Sequence, residues 1–257
     1  ASLLKSLVRG RHWFNICTTV QDCAVIRAEV AKVDTANYIY DTGLTFGADL
    51  GHQVLELAMT KIDLFPKRHN YNRGDSPKEL MKMIGADKAR ELYRRTAQMR
   101  AMCGSELITF DQHFFPDALG QQLIESAPQW LQDLSVGDPS TMLQVSSNGN
   151  YLGTHKGHKR KASLFMLLQG GDQETRWYRN TEEFEVIDPL RIPDHDKIEH
   201  VVTAVMQPWR WYVFNHFEWH SVHNFAAQSV RVNMGLDFNN VTATDIVGQL
   251  AKHSALA

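Results

Sequence analysis

Two histidines and an arginine carry most of the chemistry this sequence offers. His155 lies in Asn150-Tyr151-Leu152-Gly153-Thr154-His155-Lys156-Gly157-His158, and His220 lies 65 positions on, in Phe217-Glu218-Trp219-His220-Ser221-Val222. Arg231 follows His220 by 11 positions. A neutral imidazole is a common metal ligand, and a planar guanidinium fork suits a carboxylate better than an ammonium does. With 12 histidines in the chain, any single one is more often structural than a ligand. This pair is distinguished by its setting. His155 follows a strand and a Gly-containing turn, and His220 follows the apolar run Trp211-Tyr212-Val213-Phe214, after which the chain returns as Ser229–Phe238. His223 is an alternative ligand to His220. Gly157, two residues after His155, has no side chain to offer a metal.

These residues must be positioned by extended chain. Met142–Val145, Ala162–Leu168, Thr175–Tyr178, Glu183–Ile187, His200–Met206, Trp211–Phe214 and Val230–Phe238 are short, rich in β-branched or aromatic residues, and separated by Gly, Pro, Asn and Asp. Such spacing predicts an antiparallel sandwich or barrel. If Arg231 points inward, Asn233, Gly235 and Asp237 share its face. A buried carboxylate without a partner is costly, so Asn233 and Asp237 read as pocket residues, with a water-facing mouth position as the other reading of Asp237. The basic run Lys156, His158, Lys159, Arg160 and Lys161 is either a solvated loop or a source of positive potential beside an anion.

The preceding sequence reads as helical. Asp49–Ile62 has near-helical apolar spacing. Ser76-Pro77-Lys78-Glu79 has an N-cap residue, proline at the first helical position and an acid at the third; two helices follow to Met102, broken near Gly85-Ala86-Asp87. Asp117–Leu134 is a further helical stretch, and Tyr38-Ile39-Tyr40 a short strand. Cys17–Val33 suits strand or helix equally. The expected organisation is a single domain over 1–257, with a mainly helical part over 1–137 and a β core over 138–257, ending in a short helix after Thr242.

Composition narrows the function classes. A formal net charge of -2 argues against a dominant polyanion-binding surface, and so against nucleic acid. Three cysteines, Cys17, Cys23 and Cys103, form neither an even set nor a CxxC pair, which predicts reduced intracellular thiols. No apolar run approaches the roughly 20 residues of a membrane span, and Ala1–Arg11 lacks the apolar core of a signal peptide. A cytoplasmic protein without a membrane partner is expected.

Over roughly residues 140–240 the pattern of His155, His220 and Arg231 resembles the non-haem Fe(II)/2-oxoglutarate oxygenases. The resemblance implies an α+β fold, mainly β: a double-stranded β-helix, or jelly roll, with N-terminal supporting helices. It implies that His155 and His220 hold Fe(II), that Arg231 grips the far carboxylate of 2-oxoglutarate, and that Tyr151, Thr175 and Asn233 contact the same cosubstrate. In that family two histidines and a carboxylate bind iron, and the carboxylate stands two residues after the first histidine. Here that position is Gly157, and His-Lys-Gly is similar to the His-x-Gly of the radical halogenases. The implied activity is chlorination or bromination of an unactivated C–H of a small soluble substrate, by iron(IV)-oxo hydrogen abstraction and halogen transfer, with chloride at the position Gly157 leaves open. An amino acid or derivative is the expected substrate, with Asp237 and His158 as contacts. Two alternatives stand beside this. One is a hydroxylase, with a third ligand such as Glu218 or Asp237, or with its carboxylate replaced by Gly157. The other is a non-catalytic jelly-roll binding module.

Overall fold

The computed structural model describes residues 12–14, 25–28, 37–65, 77–103, 111–134, 140–146, 151–157, 160–170, 173–188, 191–223 and 230–254. Its first part runs β1 (His12–Phe14), β2 (Val25–Ala28), β3 (Ile39–Asp41), α1 (Ala48–Thr60), α2 (Pro77–Ile84), α3 (Ala86–Cys103), β4 (Asp111–Phe114), α4 (Asp117–Ser126) and α5 (Gln129–Leu134). Eight strands follow: β5 (Ser140–Ser146), β6 (Tyr151–His155), β7 (Ala162–Gln169), β8 (Glu174–Asn180), β9 (Ile198–Val205), β10 (Trp211–Asn215), β11 (Trp219–His223) and β12 (Arg231–Phe238). Helix α6 (Ala243–Ser254) ends the described chain.

The strands form two six-stranded sheets, ordered β1-β2-β9-β8-β11-β6 and β3-β10-β7-β12-β5-β4. From β5 onward the chain alternates between the sheets, except at the β8–β9 step, and the recorded pairings are antiparallel. This is a double-stranded β-helix. The first part of the chain is not only helical: β1 and β2 extend one sheet beyond β9, while β3 and β4 flank the other.

Two separate cores explain why β7 and β12 are buried along nearly their whole length. Leu164, Met166, Met234 and Leu236 face outward into an apolar layer shared with Leu50, Val54 and Ala58 of α1 and Ile246 and Leu250 of α6. The spacing of Leu50, Val54 and Ala58 puts them on one helical face, and burying each large side chain contributes about 1.5–3 kcal/mol. The opposite face of β7 carries Phe165 and Leu167 into the barrel, against Trp177, Val202, Tyr212 and Phe214. On β12 the inward face is Arg231, Asn233, Gly235 and Asp237, a polar row inside an otherwise apolar barrel. Glycine at 235 is required by close approach, since a Cβ there would lie 2.9 Å from Cβ of Phe165.

Two expected elements differ. Asp117–Leu134 is divided into α4 and α5 by Ala127-Pro128, where proline has no N–H to continue the helical ladder. Glu183–Ile187 is not a strand. It belongs to a strap between β8 and β9, closed at its base where the Thr181 N–H donates to the Lys197 carbonyl at 2.9 Å. Phe184 is used to stack on Trp219, and Ile187 packs with Leu80, Leu92 and Met99 of α2 and α3. Arg95 of α3 donates to the carbonyls of Glu185 at 2.8 Å and Ile192 at 3.2 Å, and Arg94 pairs with Asp194 at 2.9 Å. The α2–α3 hairpin thus clamps the strap. Ser76, most of Cys17–Val33 and the 171–172 part of the Gly170 turn lie outside the described residues. Among the described residues no helix is long and apolar enough to cross a membrane.

Candidate metal and cosubstrate site

His155 is the last residue of β6, His220 lies in β11, and the two are direct partners across the ladder. Their rings sit with centroids 4.4 Å apart. The ladder slips between His220 and Val222; irregularities of this kind re-aim side chains near sites. Each histidine is held the same way. Nδ1 of His155 lies 2.8 Å from the Gly153 carbonyl, and Nδ1 of His220 lies 2.8 Å from the Glu218 carbonyl. A carbonyl oxygen only accepts, so both Nδ1 atoms carry the proton and both Nε2 atoms are the basic nitrogens. A hydrogen bond from the far ring nitrogen to a carbonyl fixes the orientation and tautomer of an imidazole, as it does in metal-binding histidines. Burial pushes His220 down to about 4, so its ring is neutral at physiological pH.

A cavity opens beside the pair, with about 440 Å³ of empty space counting its mouth. His155, His216 and His220 line it, with Arg160, Arg231, Gln144 and Asn233 as the other polar residues and Met142, Phe165, Phe214 and Val222 as the apolar wall. Arg231 is only 3% exposed, and burial pushes its guanidinium down to about 10.

Further polar groups face the interior. Thr175 and Trp177 of β8 pair with Val222 and His220, which line the cavity, and directly paired residues share a face. Thr175 Oγ1, Trp177 Nε1 and Asn233 Oδ1 are buried without a hydrogen-bond partner. Each such group costs about 1–3 kcal/mol if it stays unmet. The Thr175 hydroxyl and the Trp177 indole N–H are donors for an anion, while Asn233 Oδ1 is an acceptor that takes a donor. This set fits a small dianion such as 2-oxoglutarate lying along Arg231, and the two Nε2 atoms fit a divalent metal. Among the described residues there is no group of three metal-ligating side chains. His155, His220, Arg231 and Asn233 are therefore brought together, with Thr175 facing the same interior. Tyr151 opens β6 opposite His223, but its side chain, like the whole of His158, lies outside the described residues. His223 does not line the cavity; its Nε2 is 2.9 Å from the Ser221 hydroxyl, and burial pushes it down to about 4.

Asp237, expected to meet a substrate amine, is fully buried and its oxygens are taken up inside the protein. Arg160 Nη1 donates to them at 3.0 and 2.9 Å, and the Ser163 hydroxyl donates to Oδ1. Ser163 in turn lies 2.8 Å from Nε2 of His216. Since that hydroxyl proton is given to Asp237, the Ser163 oxygen accepts and His216 carries its proton on Nε2. His216 was not singled out by sequence reasoning. The available signal was period two: from inward-facing Phe214, His216 falls on the same side.

Gly157 is enclosed on both sides. Its N–H donates to the His216 carbonyl at 2.8 Å, and its carbonyl accepts from Arg191 of the strap. Arg191 adopts a left-handed φ of 45°, uncommon for a residue with a Cβ. A Cβ on Gly157 would lie 2.7 Å from the Arg160 carbonyl oxygen and 2.8 Å from Cβ of His216. Both contacts are closer than side chains tolerate, and one is with backbone. Nearby, the Lys156 ammonium sits 4.8 Å from the centroid of Trp219.

No family model matches the sequence, and no curated protein matches it. Solved structures do. The E. coli ycfD structure matches with a TM-score of 0.37 at 10% identity, over 59% of this chain and 39% of that one. This chain thus spans well under half of its length. A Pseudomonas putida prolyl-4-hydroxylase matches with a TM-score of 0.33 at 14% identity, over 74% and 100% of the two chains. HygX from Streptomyces hygroscopicus, solved with nickel and 2-oxoglutarate bound, matches with a TM-score of 0.33 at 8% identity, over 62% and 81%. At these values the likeness is one of backbone course only.

Proposed function

We propose that this chain is an Fe(II)/2-oxoglutarate-dependent halogenase that chlorinates or brominates an unactivated C–H of a small soluble substrate, an amino acid or derivative. The observation that carries the reading is the enclosure of Gly157 beside a tautomer-fixed histidine pair. The chain has closed on the position where a carboxylate ligand would stand, which supports a site with two protein ligands. This speaks against a hydroxylase from which an Asp was removed, because the space for its Cβ is filled by Arg160 and His216.

In this reading His155 and His220 hold Fe(II) through Nε2, and Arg231 grips the distal carboxylate of 2-oxoglutarate. Thr175 and Asn233 add polar contacts, and Tyr151 is a further candidate contact. Phe165 and Phe214 exclude water from the cavity wall. Bound iron supplies oxygen activation at the expense of 2-oxoglutarate, and with chloride as its partner, halogen transfer to a substrate radical.

The test is anaerobic loading with Fe(II), 2-oxoglutarate and chloride, then exposure to oxygen with a panel of amino acids, read by mass spectrometry and by 2-oxoglutarate consumption. The expected product is chlorinated and requires all four components. Hydroxylated product alone across a broad chloride range would overturn halogenation, and no consumption of 2-oxoglutarate under any condition would overturn the enzyme reading. Gly157→Asp should abolish chlorination and lower stability by about 1–3 kcal/mol, the usual cost of overpacking.

A further inference from the structure

We propose that the substrate group seated at the cavity mouth is a carboxylate and that Arg160 receives it; this rests on the function just given and names its substrate class. The first observation is the charge of the wall. The cavity is lined by two arginines, three imidazoles and two amides, and no Asp or Glu is among its lining residues. An ammonium brought into this space would lose its hydration without meeting a counter-ion, which is strongly unfavourable. Asp237 cannot serve, because it is fully buried behind Arg160 and Ser163 and does not line the cavity.

The second observation is how Arg160 is held. Its contacts with Asp237 and with Met142 sulfur are all made by Nη1. A guanidinium has five N–H donors in a fixed fork, so Nε and Nη2 remain for a second planar anion. The Asp237 contact pre-orients the fork, which reduces the entropy lost when a ligand is bound. His216 stands beside it through the Ser163 link.

The third observation separates this group from the cosubstrate. Arg231 pairs with Ser146 at one end of β12, and Asp237 pairs with Ser140 and Ser163 at the other. At about 3.4 Å per residue the two ends lie roughly 20 Å apart along the strand. Arg160 and Arg231 both line the cavity and are anchored at different places in the barrel, which leaves one guanidinium for each of two acids.

The experiment uses the full chain loaded with Co(II) and 2-oxoglutarate without oxygen, a state monitored by the visible cobalt spectrum. Three probes of equal carbon number are titrated: hexanoate, hexylamine and 2-aminohexanoate. The two acids are expected to perturb the spectrum with affinities at least tenfold above the amine. Arg160→Gln should weaken both acids tenfold or more, and Arg160→Lys, which keeps the charge but not the fork, should restore part of the loss. Thermal melts of both variants confirm that folded protein is being compared. Hexylamine binding as tightly as the acids would overturn the proposal. Binding of none of the three at millimolar concentration, or acids unaffected in both Arg160 variants, would overturn it as well. Failure of the protein to form the cobalt–2-oxoglutarate spectrum before any probe is added is instead a failure of the underlying functional reading.

Discussion

The two ends of the barrel interior each present an arginine, and they are held differently. At the mouth, Arg160 has its own carboxylate, Asp237, which is in turn supported by Ser163 and His216. Arg231 lies at the far end, where burial pushes it down to about 10 and no acidic residue lines the cavity. Nearby Thr175 Oγ1 and Asn233 Oδ1 have no hydrogen-bond partner. One end is electrostatically balanced by the protein itself. The other is the end at which we propose that 2-oxoglutarate binds. On the proposed function, two charges a few residues apart on one strand play different parts: Asp237 holds Arg160 in place, and Arg231 receives the cosubstrate.

The sharpest way to break this contrast is to remove each partner in turn. Asp237→Ala should lower unfolding free energy by about 3–5 kcal/mol, because it strands a partly buried guanidinium and the Ser163–His216 link. The double variant Arg160→Met/Asp237→Leu should recover most of that loss in denaturant melts, since a buried pair is replaceable by apolar volume. A mild effect of the single variant would mean that the mouth is not balanced by this pair.

At the other end the expected loss is in binding. Arg231→Ala should cost about 2–5 kcal/mol in 2-oxoglutarate binding, a loss of at least tenfold in anaerobic titration. The melting temperature of the same variant without cosubstrate separates this loss from a loss of fold. A large loss of stability with unchanged 2-oxoglutarate binding would make Arg231 the structural arginine and invert the comparison.

The smallest effect tests a third kind of buried group. His195, in the strap, has neither ring nitrogen hydrogen-bonded, and burial pushes it down to about 4 against an ordinary value near 6.5. Below pH 6.5 the unfolded chain takes up a proton that the folded chain refuses until about pH 4. Its contribution to stability is thus present above pH 6.5 and lost as pH falls through that window, by about 1–3 kcal/mol after discounting for partial solvation. His195→Gln should flatten the fall in melting temperature between pH 7 and 4.5 relative to the parent. Parallel pH profiles would show that His195 does not control it.

Much of the fold was legible because strand sequences advertise themselves. The β-branched and aromatic runs that became β7, β9, β10 and β12 had to pack against neighbours on both faces, and only apolar side chains do so cheaply. The polar row Arg231, Asn233, Asp237 was legible for the same reason in reverse, as an interruption at period two. Glu183–Ile187 carried the same alternation and failed as a strand. Its apolar residues were recruited by Trp219 and by the α2–α3 hairpin, partners more than 30 residues away that local pattern does not reveal.

The sequence by itself determined the barrel strands, the alternation that turns Arg231 inward, and the absence of any side chain at position 157, since each follows from residue type and local periodicity. Tertiary structure alone decided which charges cancel. Arg160 and Asp237 are 77 residues apart and meet only because β7 and β12 are neighbours in the sheet. It also decided that Gly157 is enclosed, by the backbone of Arg160 and by the β10–β11 turn. Composition predicts what a residue can do, but electrostatic balance and steric room depend on separations of a few ångströms, and those are fixed only when the strands have taken their register.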